Sequence, residues 1–176
     1  MDAIKMLKSY NLNESAIEYY TNENHKIESV LNSLDKREKD VLVMTYIHQL
    51  PLTKILTYIK YKDAHYYRIK NAALKKIDTI INSNKNIDAI DPIEFVQSYL
   101  VNIDVITYLT SMNDNTKKLL DTLNDNERQV LCLKYLEELT YEQMCNIMKC
   151  TERSVSRWKK SGLDKIDYIL SAKEAK

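Results

Sequence analysis

Glycine and proline are nearly missing from this chain: Gly162, Pro51 and Pro92 are the only three in 176 residues. Sheets need many tight turns, and tight turns draw on both residue types. Their scarcity, beside abundant Leu, Ile, Lys and Glu, implies an all-α protein. No apolar run approaches the roughly 18 residues that a membrane span requires. The opening MDAIKMLKSYNLNES has no apolar stretch of the kind that marks a secretory leader. The expectation is a cytoplasmic protein with no membrane partner. Charge of one sign is lacking too: 26 Lys and Arg face 25 Asp and Glu, a formal net charge of +1. No global field draws such a chain to nucleic acid or lipid, so any basic surface must be local. The three cysteines, Cys132, Cys145 and Cys150, form an odd set with no CxxC pair, which argues against a disulfide frame or a zinc site. They read as small buried hydrophobes. The histidines stand apart at 25, 48 and 65, with no HExxH, nucleophile elbow or phosphate loop. Catalysis needs convergent polar groups in a pocket, so no enzyme, no metal and no cofactor is expected.

What the chain does have is an internal repeat. Shifted by 89 positions, the sequence matches itself without a gap. Between Leu34–Ile81 and Leu123–Leu170, 14 of 48 positions are identical, among them Glu38/Glu127, Leu42/Leu131, Lys60/Lys149, Arg68/Arg157 and Lys76/Lys165. The match continues upstream through Asp2/Asp91, Ile4/Ile93, Ser9/Ser98, Tyr10/Tyr99, Asn13/Asn102, Ile17/Ile106, Tyr19/Tyr108 and Thr21/Thr110. The chain therefore reads as two modules, 1–86 and 92–176, joined by a linker at 87–91. The seam SNKNIDAIDP is polar and then brings Pro92, which suits a short linker and a new helix start.

Each module reads as five helical segments. In the second, Asp91 caps a helix that opens on Pro92, and another helix, broken or not, covers about 101–122. Asn124 with Glu127 is a capping-box pattern that opens a helix over 125–137. Thr140 with Gln143 repeats the device for 141–148, and Thr151 caps a last helix over about 152–170. In the first module, Asp35 with Glu38 supplies the first box and Pro51 stands at the start of the short helix. Val130, Leu133, Leu136, Met144, Met148, Val155, Trp158 and Leu163 recur at helical spacing and are assigned to the core, as are Val41, Met44, Ile47, Ile55, Ile59, Tyr66, Ile69 and Leu74.

A short helix, a brief turn at Lys149-Cys150-Thr151 and a longer helix with a basic outer face make a helix-turn-helix pattern. From Met148 to Lys165 there are six basic and two acidic residues; from Ile59 to Lys76 there are six and one. A second helix of this kind fits the major groove, where its early residues reach base edges. Flanking Lys and Arg neutralise phosphates and release counterions. Against this stands the plain alternative that a Lys- and Arg-rich helix is a solvated face, its cations also suiting the helix dipole.

The stretch LNDNERQVLCLKYLEELTYEQMCNIMKCTERSVSRWKKSGLDKI resembles region four of bacterial sigma factors, and the region-four-like regulators of phages and mobile elements. Leu123, Glu127, Arg128, Val130, Leu131, Tyr135, Leu139, Thr140, Thr151, Val155, Leu163, Lys165 and Ile166 carry the resemblance. The first module carries it more weakly, ending in Ala73-Leu74-Lys75-Lys76-Ile77. The resemblance implies DNA contacts from Thr151, Glu152, Arg153, Ser154, Ser156 and Arg157, with Lys159 and Lys160 on the backbone. In the first module it implies Lys62, His65, Tyr67, Arg68 and Lys70, beside Asp63 and Ala64. The family often has Gly in the turn, where this chain has Lys60 and Lys149. It favours a small residue midway along the short helix; Cys145 fits and Leu56 is larger. Gly162 is expected to weaken the last helix, so that its tail bends or frays. Nothing resembles region two, so a free-standing sigma factor is not indicated.

The implied function is a sequence-specific regulator of transcription that binds double-stranded DNA. Its two recognition helices would act as a pseudo-dimer on two unlike half-sites, with centres about 34 Å apart or a multiple of that. An alternative is a protein-interaction module that docks on RNA polymerase or another transcription protein, using the tyrosines of the first module (Tyr58, Tyr61, Tyr66, Tyr67). A phage DNA-packaging recognition subunit is a third. The helices that open each module could pack within it, between modules, or between chains as a homodimer.

Overall fold

The computed structural model describes residues 2–83 and 89–174. Among them are eight α-helices and no strand: α1 (Ala3–Asn32), α2 (Lys36–Leu42), α3 (Leu52–Ile59), α4 (Asp63–Ile81), α5 (Pro92–Leu120), α6 (Asp125–Leu131), α7 (Tyr141–Met148) and α8 (Glu152–Glu174). The protein is all-α. Of the linker expected at 87–91, residues 87 and 88 lie outside the described residues.

Two expectations about the helices need correction. The opening of each module is one long helix, α1 or α5, where two segments were expected. Asparagine can interrupt a helix when its side chain bonds nearby backbone. Here Asn13, Asn24, Asn102 and Asn113 are buried and spend their amides on the facing helix instead. The helix expected over 125–137 is α-helical only to Leu131 and continues as a π-helical turn over Cys132–Leu136. The same turn follows α2 at Val43–Ile47. Each is closed by a bond spanning five residues, His48 N–H to Val43 carbonyl at 2.8 Å and Glu137 N–H to Cys132 carbonyl at 3.0 Å.

Gly162 does not fray its helix: α8 runs on to Glu174. A Cβ at Gly162 would stand 3.0 Å from Leu131 Cδ1 and 3.4 Å from Glu127 Cβ. The glycine thus lets α8 lie close against α6, and that packing offsets its poor helix propensity.

The chain divides into two compact units that differ from the modules 1–86 and 92–176. One is Glu18–Ile106, and the other joins Met1–Ile17 to Thr107–Lys176. In the first, α2, α3 and α4 pack with the second half of α1 and the first half of α5. Its main core is built on Ile27, Leu31, Leu34, Leu42, Ala73, Ile77 and Val96. Here α1 and α5 run antiparallel: the Asn102 amide donates to Asn24 Oδ1 at 2.8 Å, and Tyr99 Oη donates to Glu28 Oε1 at 2.9 Å. In the other unit, Ala3, Met6 and Leu7 join Leu120, Leu123, Leu131 and Ile166 in one core. The Asn13 amide donates to Asn113 Oδ1 at 2.9 Å, and the Asn113 amide to Glu14 Oε1 at 2.7 Å.

The capping boxes form as the sequence implies. Asp35 with Glu38, Asn124 with Glu127, and Thr140 with Gln143 each satisfy donors at a helix start. Glu127 does more than cap. Its side chain is buried, and besides the Asn124 N–H it accepts from Ser161 Oγ at 2.7 Å and from Lys165 Nζ at 2.7 Å. Glu38 meets Lys76 Nζ at 2.6 Å in the same way. These bonds tie α6 to α8 and α2 to α4.

Burial pushes the Glu127 carboxyl up, but the bonds from Lys165, Ser161 and Asn124 outweigh it and hold the group below its ordinary value. A carboxyl with a depressed folded pKa adds stability above its unfolded pKa and loses it as pH falls through the folded value. Glu127→Gln is therefore expected to destabilise the protein by about 1–3 kcal/mol at pH 7. Urea unfolding followed by circular dichroism should show this deficit shrinking as the pH drops below about 4.3, where the unfolded carboxyl protonates. A deficit that stays constant to pH 3 would refute the assignment.

Candidate nucleic-acid interface

The turn between α7 and α8 is made without glycine. Lys149 closes α7 in the left-handed region at φ 49°, and its N–H returns to the Cys145 carbonyl. Lys60 does the same at the end of α3 at φ 56°. Left-handed backbone strains a residue that carries a Cβ. Gln49 and Glu138 add two more such positions at the ends of the π-helical turns. All four recur 89 residues apart as Gln49/Glu138 and Lys60/Lys149.

Thr151 follows and caps α8 through the Ser154 N–H. Val155, fully buried, and Trp158, half-buried, turn inward to Val130, Leu133 and Met144. Cys145 and Cys150 pack there as well; they and Cys132 are free thiols, half-buried. The other side of the helix is open: Thr151, Glu152, Arg153, Ser156, Arg157 and Lys160 are exposed, and Ser154 is half-buried. Of the residues expected at DNA, these seven share the amino-terminal part of α8. Arg157 lies over the Trp158 ring at 5.9 Å. Lower on the helix, Arg157, Lys160, Asp164 and Tyr168 border an open groove of about 580 Å³.

Lys159 is placed differently from its neighbours. It is half-buried, and its ammonium donates to Tyr141 Oη at the start of α7. That bond, against the opposing cost of burial, holds its pKa above the ordinary lysine value, so it stays charged. Lys134 lies 5.6 Å from the same ring and donates to the Leu139 carbonyl at 3.1 Å. Tyr141 thus sits between two cations and links α7, α8 and the π-helical turn. Sequence reasoning gave Tyr141 no role, because helical periodicity does not relate a first-turn residue to one 18 positions on in another helix.

The amino-terminal face of α4 is of another kind. Lys62, Tyr67 and Arg68 are exposed, and His65 and Lys70 are half-buried. His65 Nδ1 accepts from Arg68 Nη2 at 2.7 Å, and its ring meets Tyr61 edge-on at 4.3 Å. Lys70 lies over Tyr67 at 5.1 Å and over Tyr66 at 5.8 Å. Tyr66 is buried, and its hydroxyl meets Thr45 Oγ1 at 3.0 Å. Arg68 and Lys70 of α4 are therefore engaged by aromatic rings of the same helix, whereas Arg153 and Lys160 of α8 have no ring or acidic partner among the described residues. Among the described residues no cluster of His, Cys, Asp or Glu could hold a metal, and no helix is long and apolar enough to cross a membrane.

No curated protein and no solved structure matches the chain. Residues 7–78 match a family model described as Protein of unknown function (DUF1492). Residues 119–167 match the Sigma-70, region 4 model, a span that runs from the end of α5 through α7 and the turn into α8. The carboxy-terminal stretch is thus similar to a helix-turn-helix of the DNA-binding, non-enzymatic kind.

Proposed function

We propose that the protein is a sequence-specific regulator of transcription that grips double-stranded DNA with two recognition helices, α8 and α4. The observation that carries this reading is the α7–turn–α8 unit. Up to residue 167 it lies inside the span similar to Sigma-70 region 4; it buries Val155 and leaves Arg153, Ser156, Arg157 and Lys160 open on one side. Such a face meets the two needs of groove binding: donors for base edges and cations for phosphates. Thr151, Glu152 and Ser154 stand at the helix start, where backbone N–H groups favour an anion.

The pseudo-dimer rests on recurrence. The capping box before the scaffold helix, the π-helical turns, the left-handed lysines and the buried Glu–Lys ties all return after 89 residues. A tandem duplication of one module, 1–86 and 92–176, accounts for this economically. The two readers then differ: α8 offers Arg and Ser, whereas α4 offers Lys62, His65, Tyr67, Arg68 and Lys70, and their half-sites differ accordingly. A cytoplasmic location, without cofactor or metal, fits this role. One observation favours a second reading for the first unit. Tyr58 is 71% exposed and borders, with Lys36, Arg37, His48 and Tyr61, a cleft of about 550 Å³. Tyrosines are favoured at protein interfaces, so this face suits a transcription partner such as RNA polymerase better than a base edge.

Selection of a binding site from a randomised duplex pool should recover two unlike half-sites. Arg153→Ala and Arg157→Ala are each expected to weaken binding to that site by about 1–3 kcal/mol where the side chain reads a base. Lys160→Ala should weaken binding to every sequence alike and lower the salt slope by about 1. Fluorescence anisotropy at two salt concentrations reads both effects. If both arginine variants bind the selected site as tightly as the parent, α8 is not the reader.

The strained turn offers a separate check. Lys149→Gly removes the left-handed penalty and is expected to raise stability by about 1 kcal/mol relative to Lys149→Ala. If Lys149 also contacts phosphate, both variants lose DNA affinity equally, and equilibrium unfolding separates the two effects.

A further inference from the structure

We infer that each reader is positioned by the opening helix of the other sequence module: Leu7 of α1 positions α6 and α8, and Val96 of α5 positions α2 and α4. The inference concerns packing and rests on the two-reader proposal only for its DNA arm.

Leu7 is fully buried and lies in a core with Leu120, Leu123, Leu131 and Ile166. Leu131 is also the residue against which Gly162 brings α8 close. Two hydrogen bonds flank this apolar contact. The Ala3 N–H donates to Asp167 Oδ1 on α8 at 2.8 Å, and the Asn11 amide donates to the Leu136 carbonyl at the end of the π-helical turn at 2.6 Å. One end of α1 thereby holds α6, its π-helical turn and the rear half of α8. The front half of α8, which carries Arg153 and Arg157, continues that rear half as one unbroken helix.

In the other unit the roles are exchanged. Val96, fully buried, lies with Leu31, Leu34, Leu42 and Ile77. Adding 89 to Leu7, Leu31, Leu34, Leu42 and Ile77 gives Val96, Leu120, Leu123, Leu131 and Ile166. The two cores thus use the same positions, with the opening helix drawn from the other module each time. The buried amides follow the same rule: Asn13 with Asn113 in one unit becomes Asn102 with Asn24 in the other. Such an exchange is reciprocal, as in a swapped dimer whose two subunits have been joined into one chain. A module closed on itself would have set Leu7 against Leu42 and Ile77.

The test uses the full chain and amide hydrogen exchange under native conditions, which needs no DNA. Leu7→Ala leaves a cavity under α6 and α8. It is expected to speed exchange across α6–α8 by roughly 100-fold, while α2–α4 keep their protection. Val96→Ala should do the reverse, and Leu7→Met should restore protection in α6–α8. If Leu7→Ala unfolds the whole chain, Leu7→Val gives the answer through a smaller rise in the same segments. A rise in α2–α4 on changing Leu7, or an equal rise in both sets with Leu7→Val, overturns the inference. On a duplex carrying both selected half-sites, Leu7→Val should weaken protection of the α8 half-site alone. Selective exchange in a protein that binds no duplex would keep the positioning role and discard the DNA reading.

Discussion

The buried carboxylate of Glu127 is the constraint on which the carboxy-terminal helix-turn-helix depends. A lone charge taken from water is costly, so it persists only where donors surround it. Four arrive from three places: the Asn124 N–H at the start of α6, Ser161 Oγ, and Lys165 Nζ on both oxygens. A single side chain therefore starts α6 and fastens it to α8. Gly162, between Ser161 and Leu163, removes the one Cβ that would hold the two helices apart. The direction of the basic face follows from this fastening, because Val155 must then fall into the core beside Val130 and Met144.

The two units solve one packing problem with different surfaces. Both close the turn before the long helix with a left-handed lysine, and both tie the scaffold helix to it with a Glu–Lys pair. In α8 the exposed arginines stand free of acidic partners among the described residues. In α4 the arginine is held by His65 and the lysine lies over two tyrosine rings. The difference is chemical rather than architectural. It leaves one face polar and the other rich in aromatic rings.

Much of this was legible in the sequence. The capping boxes, the α7 boundaries and the inward Val155, Tyr66 and Trp158 all follow from local rules, since each depends on residues within one or two turns. The features that escaped are non-local. The unbroken α1 and α5 depend on asparagine amides finding partners across a helix pair. The π-helical turns depend on how each segment packs on its neighbours. The withdrawal of Lys159 from the open face depends on Tyr141, a residue of another helix.

The sequence by itself determined that the chain is helical and where its caps and turns lie, but it assigned no role to Leu7 or Val96. Only the tertiary structure decided which core each of them enters. Helical periodicity reports that a residue is buried, not what it is buried against. Leu42 and Leu131 are the same residue type, as are Ile77 and Ile166, so the two cores present nearly the same apolar surface to an opening helix. The path of the chain resolves that tie: α1 and α5 are each long enough to give one half to one unit and the other half to the second.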